Sequence, residues 1–399
     1  MRLLHTSDTH IGKLTYGVSR RPDHEQVHDE IVAIARDFTP DLIVHSGDLF
    51  DAKMPAVDDL RFGIEMLDEL AAIAPVAVVC GNHENPKLFA LFQTLRGGNR
   101  VRFIDRARPP ASGGILDYPA RDGDRIRLAP LPFVMRNTFL EDFEDPATWS
   151  SAYADRIAFL QDALAAGFQR DADPRRDVRV FAAHLHVTGA VLANSERQVH
   201  VDDYATRPEK IPAVSYAAFG HIHKPQALAG RPWARYAGSP IPIDFGELGE
   251  TKSVVCVEAR PGKTPSMNCV SLSGGRPLRR ARGTLDDLAQ QAGNLRGSLA
   301  HITVETPAQR HIADDVQARL PDTIVLRIDV IDPNRTVAAI EPRGHADEAT
   351  IGELFTDYLA EEGNAGVDNR RVADLFTRVM RAARDEQPVE LADLDGGEA

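Results

Sequence analysis

The sequence predicts an α/β protein built on a parallel sheet with helices packed against it. Over the first hundred residues, apolar strand-length runs alternate with segments of helical spacing. The order strand, helix, strand, helix, strand calls for parallel pairing through crossovers. The composition is that of an ordinary soluble chain, 43% hydrophobic and 26% charged over 399 residues. At roughly 150 residues per domain, two or three domains are expected.

The elements follow in order. Residues 1–10 read as a strand that turns polar at Asp8 and His10. Val27, Ile31, Ile34, Ala35 and Phe38 carry helical spacing, and Pro40 and Asp41 end it. Leu42-Ile43-Val44 is a short strand leading into Gly47-Asp48, and Leu60, Ile64, Leu67 and Leu70 mark a second helix over 57–72. Val76–Cys80 is a buried strand followed at once by Gly81-Asn82-His83. Further strands are expected at 177–183, ending at His184, and at 214–219, running into Gly220-His221, and 235–240 reads as a strand and turn. Residues 253–257 and 266–270 read as a hairpin. The Gly/Pro/Arg-rich run 274–283 reads as a linker. Beyond it, a small α+β unit is expected, with helices near 284–293 and 309–320 and strands at 301–304 and 324–328. Two apolar stripes follow, one with Ile351, Leu354, Phe355, Tyr358 and Leu359, the other with Val372, Leu375, Phe376, Val379 and Met380. The acidic end, 387–399, reads as disordered. No internal repeat is found.

Several classes are disfavoured by composition. No run of about eighteen apolar residues occurs, so no membrane span is expected. The amino terminus turns polar too soon for a signal peptide, which points to the cytoplasm. The three cysteines, Cys80, Cys256 and Cys269, are widely spaced and read as small core residues, not as a disulfide frame or thiolate site. A net charge of −13 makes the chain no obvious nucleic-acid binder. A site that consumes carboxylates and binds cations would, however, reverse the local sign.

The chemistry-bearing residues share one position, just past the carboxyl end of a predicted strand, where open α/β sheets bind ligands. They are Asp8 and His10, Asp48, Asn82 and His83, His184, and His221 and His223. Oxygen and imidazole donors of this kind suit manganese, iron or zinc. They outnumber what one ion takes and divide into two ions sharing a carboxylate, about 3.5–4 Å apart. Singly, each motif has an ordinary reading: Gly-Asp is common turn chemistry, and a lone strand histidine is usually packed or at the surface. Together and in this order they form a specific pattern.

Asp8-Thr9-His10, Gly47-Asp48-Leu49-Phe50-Asp51, Gly81-Asn82-His83-Glu84, His184 and Gly220-His221-Ile222-His223 resemble the calcineurin-like metallophosphoesterases. Within these, Met1–Gly12, Gly220–Gln226 and Tyr236–Pro242 are similar to the SbcD-like family of bacterial DNA-repair nuclease subunits. The resemblance covers about the first 260 residues. It implies a four-layer αββα sandwich over 1–272, a small α+β capping domain over 284–341 and a helical partner-binding region over 346–386. One ion would be held by Asp8, His10, Asp48 and His223, and the other by Asp48, Asn82, His184 and His221. His83 would face the phosphate instead of a metal. The implied cofactors are two divalent ions, manganese first. The implied partners are DNA and an SbcC-like coiled-coil ATPase, with a homodimer inside a heterotetramer. The implied activities are 3′–5′ double-strand exonuclease and single-strand endonuclease.

Glu84 stands where the family usually has Asp, and is expected to support the site from behind. Asp51 reads equally as a carboxylate orienting a ligand or as a helix cap. His24, ahead of a helix, reads as a surface residue first and as one that could reach the site second, and His186 as a packed residue first and a further ligand second. Arg276, Arg279, Arg280 and Arg282 read equally as DNA-backbone contacts or as a solvated hinge. The apolar stripes past 350 pack on each other or on the nuclease domain, or lie on the coiled coil of the ATPase, which the resemblance favours. The competing functions are a phosphoesterase for small substrates and a DNA-end scaffold. The long segment after the catalytic block argues against the first, and the filled ligand positions against the second.

Overall fold

The structure is a computed structural model. It describes residues 1–96, 100–135, 153–193, 205–307 and 311–332, and Leu359, Val372 and Phe376 beyond them. Met1–Pro333 form one compact unit and Asn334–Ala399 another. In the second unit, Leu359, Val372 and Phe376 are helical and half-buried. The rest of the two apolar stripes and the acidic end lie outside the described residues. Among the described residues no helix is long and apolar enough to cross a membrane.

Fifteen strands of the first unit build three sheets. They are β1 (Arg2–Thr6), β2 (Leu42–His45), β3 (Val76–Val79), β4 (Val101–Ile104), β5 (Leu116–Pro119), β6 (Arg125–Leu131), β7 (Asp177–His184) and β8 (Tyr216–Gly220), then β9 (Gln226–Leu228), β10 (Arg231–Tyr236), β11 (Ser253–Glu258), β12 (Ser266–Ser271), β13 (Leu278–Gly283), β14 (Leu299–Glu305) and β15 (Ile324–Ile331). The first sheet has the order β12-β11-β1-β2-β3-β4, and the second β9-β10-β8-β7-β6-β5. Each has a parallel centre. β1 to β4 run parallel, while β11 and β12 add antiparallel at one edge. β6, β7, β8 and β10 run parallel, with β5 and β9 antiparallel outside them.

The period-two alternation of the strands makes four layers. Leu3, Leu42, Val44, Ala77 and Val79 point inward and meet Ile126, Leu128, Val178, Val180 and Ala218 of the second sheet. Their chain neighbours Leu4, Ile43, Val76 and Val78 point outward, under Ile31 and Ala35 of α1 (Arg21–Phe38), Leu67 and Leu70 of α2 (Val57–Ile73) and Phe89 of α3 (Pro86–Leu95). On the far side, Leu131, Phe181, Ala183 and Phe219 pack under Ile157, Leu160 and Leu164 of α4 (Tyr153–Gly167). Fully burying a side chain of this size contributes about 1.5–3 kcal/mol, and strands buried on both faces read as continuous apolar runs. This is the expected αββα sandwich.

A third, all-parallel sheet, β13-β14-β15, carries α5 (Leu285–Leu295) and α6 (Ile312–Arg319). This α+β module has its own core, in which Leu288, Leu295, Ile302, Val304, Val316 and Leu320 are buried. Thr284 and Asp287 form a capping box that starts α5.

Three expectations need correction. The segment read as a linker becomes strand β13 from Leu278 onward, with Leu278, Ala281 and Gly283 buried between outward-facing arginines. His24 lies inside α1 and is fully buried. Its polar neighbours hid this, because they answer one another. The Arg20 guanidinium, itself buried, bonds Asp23 (2.7 Å), Thr15 (3.2 Å) and the Pro242 carbonyl (2.6 Å). Cys269 is exposed on β12, whereas Cys80 and Cys256 are buried.

Three of the four arginines also have partners of their own. Arg276 donates three times to Asp23, at 2.6–2.9 Å. Arg282 pairs with Glu305 at 2.6 Å. Arg280 lies over the Phe245 ring, and Arg279 is exposed. Burial would raise the Asp23 carboxyl, but Arg276 and Arg20 hold it down at about 2. An Arg276→Ala variant is therefore expected to lose about 1.5–3 kcal/mol of stability, the range for hydrogen bonds to charged groups. A folded pKa below the unfolded one stabilises above pH ~4 and is lost as pH falls toward 2. The gap between variant and parent, read by urea denaturation, should be full at pH 7 and narrow across that window. A gap that is constant with pH would show that Arg276 does not act through Asp23.

Candidate metal centre

Five loops converge where β1, β2, β3, β7 and β8 end. Asp8 and His10 follow β1, Asp48 follows β2, and Asn82 and His83 follow β3. His184 closes β7, and His221 and His223 follow β8. The cluster thus joins the carboxyl edges of both large sheets. Its backbone is strained: Asp8, His10, Asp48 and His221 have φ of 51°, 51°, 54° and 99°. Such conformations cost a non-glycine residue about 1–3 kcal/mol and persist where the surroundings over-determine them. Here Asp8 N donates to Gly47 O (2.9 Å) and His10 N to Asp48 O (3.0 Å). Asp8 Oδ1 accepts from His221 N (2.9 Å), and Asp48 Oδ1 from His83 N (2.9 Å). The glycines of the motifs are set by close approach. A Cβ on Gly47 would strike the His184 ring, and one on Gly81 the Asp48 carboxylate.

Three overlapping triads offer ligand atoms within 4.8 Å of one another: Asp8–His10–His223, His10–Asp48–His83 and Asp8–Asp48–His184. Asn82 Oδ1 lies 2.8 Å from both His184 Nε2 and His221 Nδ1. Asp48 Oδ2 lies 3.3 Å from His184 Nε2 and 3.7 Å from His10 Nε2. All eight sequence-predicted residues are thus brought together. The donor set fits divalent cations. Asp8 Oδ2 is buried with no hydrogen-bond partner, and His10 Nε2 faces His223 Nε2 at 3.1 Å. Two imidazole nitrogens and an orphaned carboxylate oxygen turned to one point suit a cation between them.

The electrostatics agree. Burial, aided by Asp48, raises the Asp8 carboxyl, against three histidines. Burial would raise Asp48 as well, but His184 and His10 hold it well below the usual carboxylate range. Conversely, burial would lower His184, and Asp48 lifts it to about 9. Burial lowers His10 and His221. The one like-charge pair, Asp8 beside Asp48, is the part of the cluster that a bound cation would stabilise.

The supporting residues sit behind the donors. Glu84 is buried and accepts from the backbone of Gly81 (2.5 Å), Phe50 (3.0 Å) and Asp48 (3.1 Å), which ties two of the loops together. Burial and Asp48 push its carboxyl up to about 8. Asp51 does not cap the next helix, which starts at Val57 after Ala56. Its carboxylate lies 3.2 Å from both His10 Nδ1 and Lys13 Nζ, and its carbonyl accepts from His83 Nδ1 (2.8 Å). His186 is buried, its ring 6.5 Å from that of His221. Sequence reasoning missed Glu247. Fully buried, it accepts from His223 Nδ1 (2.9 Å) and pairs with Lys252 (2.7 Å). Burial would raise this carboxyl, but His223 and Lys252 hold it far below its usual range. No local motif marks Glu247.

A two-sheet αββα sandwich with clustered carboxylate, amide and imidazole donors at its carboxyl edge defines a class of metal-dependent phosphoesterases. Residues 1–225 match the calcineurin-like phosphoesterase family, and the chain belongs to it. Among curated proteins, the SbcD subunit of the nuclease SbcCD of Bacillus subtilis is 28% identical, over 97% of this chain and 99% of its own length. The corresponding nuclease subunit from Escherichia coli K12 is 25% identical, over the same shares. A solved dimetal phosphatase from Danio rerio aligns with a TM-score of 0.39 at 13% identity, over 68% of this chain and 99% of its own.

Proposed function

We infer that this chain is the nuclease subunit of a DNA-repair complex. It hydrolyses DNA phosphodiesters with two manganese ions, as a 3′–5′ double-strand exonuclease and a single-strand endonuclease. Its partner is an SbcC-like coiled-coil ATPase, in a heterotetramer that holds two copies of each. The donor cluster around Asp48 carries the reading of the chemistry. The likeness to nuclease subunits over nearly the whole chain supports the substrate and partner.

In this reading Asp8, His10, Asp48 and His223 hold one ion, and Asp48, Asn82, His184 and His221 the other. Such ions polarise phosphoryl oxygens and lower the pKa of an attacking water. The protein contributes the rest. Glu84 fixes the loop that presents Asp48, and Glu247 fixes the tautomer of His223. The side chain of His83 is 38% exposed, against 11% for His223 and 2% for Asp48. His83 therefore reaches out, with Asn82 and His221, where an arriving phosphodiester would meet the cluster. Its Nδ1–H donates to the Asp51 carbonyl, which leaves Nε2 for a phosphate or leaving oxygen.

The test uses linear duplex DNA, circular single-stranded DNA and bis(p-nitrophenyl) phosphate, each with Mn2+, Mg2+ or EDTA. Both DNAs should be degraded with Mn2+ and left intact with EDTA, and the small diester should turn over slowly. Turnover of the small diester with DNA untouched would make the chain a small-molecule phosphodiesterase. Metal binding with no hydrolysis of any substrate would make it a scaffold.

A further inference from the structure

The short turn Phe245–Glu247 faces the α+β module at one end and the metal centre at the other. The buried Phe245 ring joins Leu278 of β13 and Leu299 of β14 in one apolar cluster. His301 of β14 meets it edge-on at 5.6 Å, and the Arg280 guanidinium of β13 lies 5.6 Å from its centroid. Tyr16 closes on it at 5.9 Å. Two residues on, Glu247 holds His223 Nδ1 through one oxygen. Its other oxygen accepts from Lys252 Nζ (2.7 Å), Ser239 Oγ (3.1 Å) and Ile243 N (3.2 Å). The turn itself is stiff: Asp244 Oδ1 accepts from Gly246 N (2.8 Å), and Glu247 N donates to Asp244 O (3.0 Å).

A carboxylate with this many donors has no freedom to rotate by itself, so its direction follows the backbone of the turn. That backbone is anchored by a ring packed into the module. The Nδ1–H bond of His223 fixes which nitrogen carries the lone pair, and its direction sets where that lone pair points. We propose that Phe245 and Glu247 are positioning residues through which the α+β module sets the orientation of His223, and with it the affinity of the ion that His223 helps to hold. This rests on the reading of His223 as a ligand.

The test is calorimetric titration of Mn2+ into the full chain. Glu247→Gln should weaken the affected site about 10- to 100-fold, the range for partners of metal-bound histidines. Phe245→Ala should weaken the same site by less, and Phe245→Leu, which keeps apolar volume against Leu278 and Leu299, should restore most of the loss. In the Phe245→Ala/Glu247→Gln double variant the two losses should not add, because the first acts through the second. Additive losses, or a Phe245→Ala protein with a lower melting temperature but parental Mn2+ affinity, would overturn the proposal. If the alanine variant does not fold, Phe245→Val carries the same comparison. His223→Ala separates the two levels: parental Mn2+ affinity there would sink the ligand reading itself.

Discussion

An Asp48→Asn variant is expected to lose metal-dependent phosphodiester hydrolysis by about a thousandfold or more, the order set by several kcal/mol of lost charge stabilisation. It should also bind fewer ions than the parent by elemental analysis. Asp48 belongs to two of the three donor triads, and its Oδ2 stands between His184 and His10. Asparagine is the informative replacement. Asp48 has φ of 54°, which asparagine tolerates and alanine resists. An amide oxygen can still accept from the His83 backbone N–H, so the loop is kept while the charge is lost. Parental activity with the parental number of ions would show that another carboxylate bridges the site.

Much of the sandwich and the donor set was legible in the sequence, because both are written locally. Leu42–Val44 and Val76–Val79 are apolar on both faces, as parallel strands between layers must be. Each donor lies within a few residues of a strand end, and each motif glycine answers a contact inside the cluster. What was hidden depends on contacts far apart in the chain. Nothing local shows that the chain leaves the first sheet after β4 and returns with β11, to pair Val257 with Leu3. A run rich in Gly, Pro and Arg looks like a hinge until β14 pairs with its second half. Glu247 carries no motif, since its role comes from a bond to a histidine 24 residues earlier. His24 looks like a surface residue because the charges beside it are satisfied by Thr15, Pro242 and Arg276.

The buried ionisable groups also divide the site by task. Asp8, Asp48, His10 and His184 are almost wholly enclosed, and each strongly shifts its neighbours. Groups that hold one another in this way are suited to fixing cations and poorly suited to trading protons with a substrate. His83 differs. Its ring stands edge-on to His10 at 4.7 Å, reaches solvent, and donates through Nδ1 to the Asp51 carbonyl, with the Asp51 carboxylate 4.0 Å from the same nitrogen.

His83→Ala is therefore expected to keep its ions and lose turnover. The loss should be roughly a hundredfold or more, the range for a positioned acid or a charge-stabilising donor. The Mn2+ affinity by calorimetry should stay near the parental value, because the Asp8, His10, Asp48 and His223 donors are untouched. The backbone N–H of residue 83, which holds Asp48 Oδ1, survives the substitution as well. A substrate with a more acidic leaving alcohol separates the roles of the ring. If His83 protonates the leaving oxygen, the variant should recover much of its rate on a nitrophenyl diester while staying slow on DNA. If it stabilises charge on the phosphoryl group, both substrates should slow alike. His83 also lies in a donor triad with His10 and Asp48. Loss of an ion in His83→Ala would therefore make it a ligand and overturn its assignment to the phosphate.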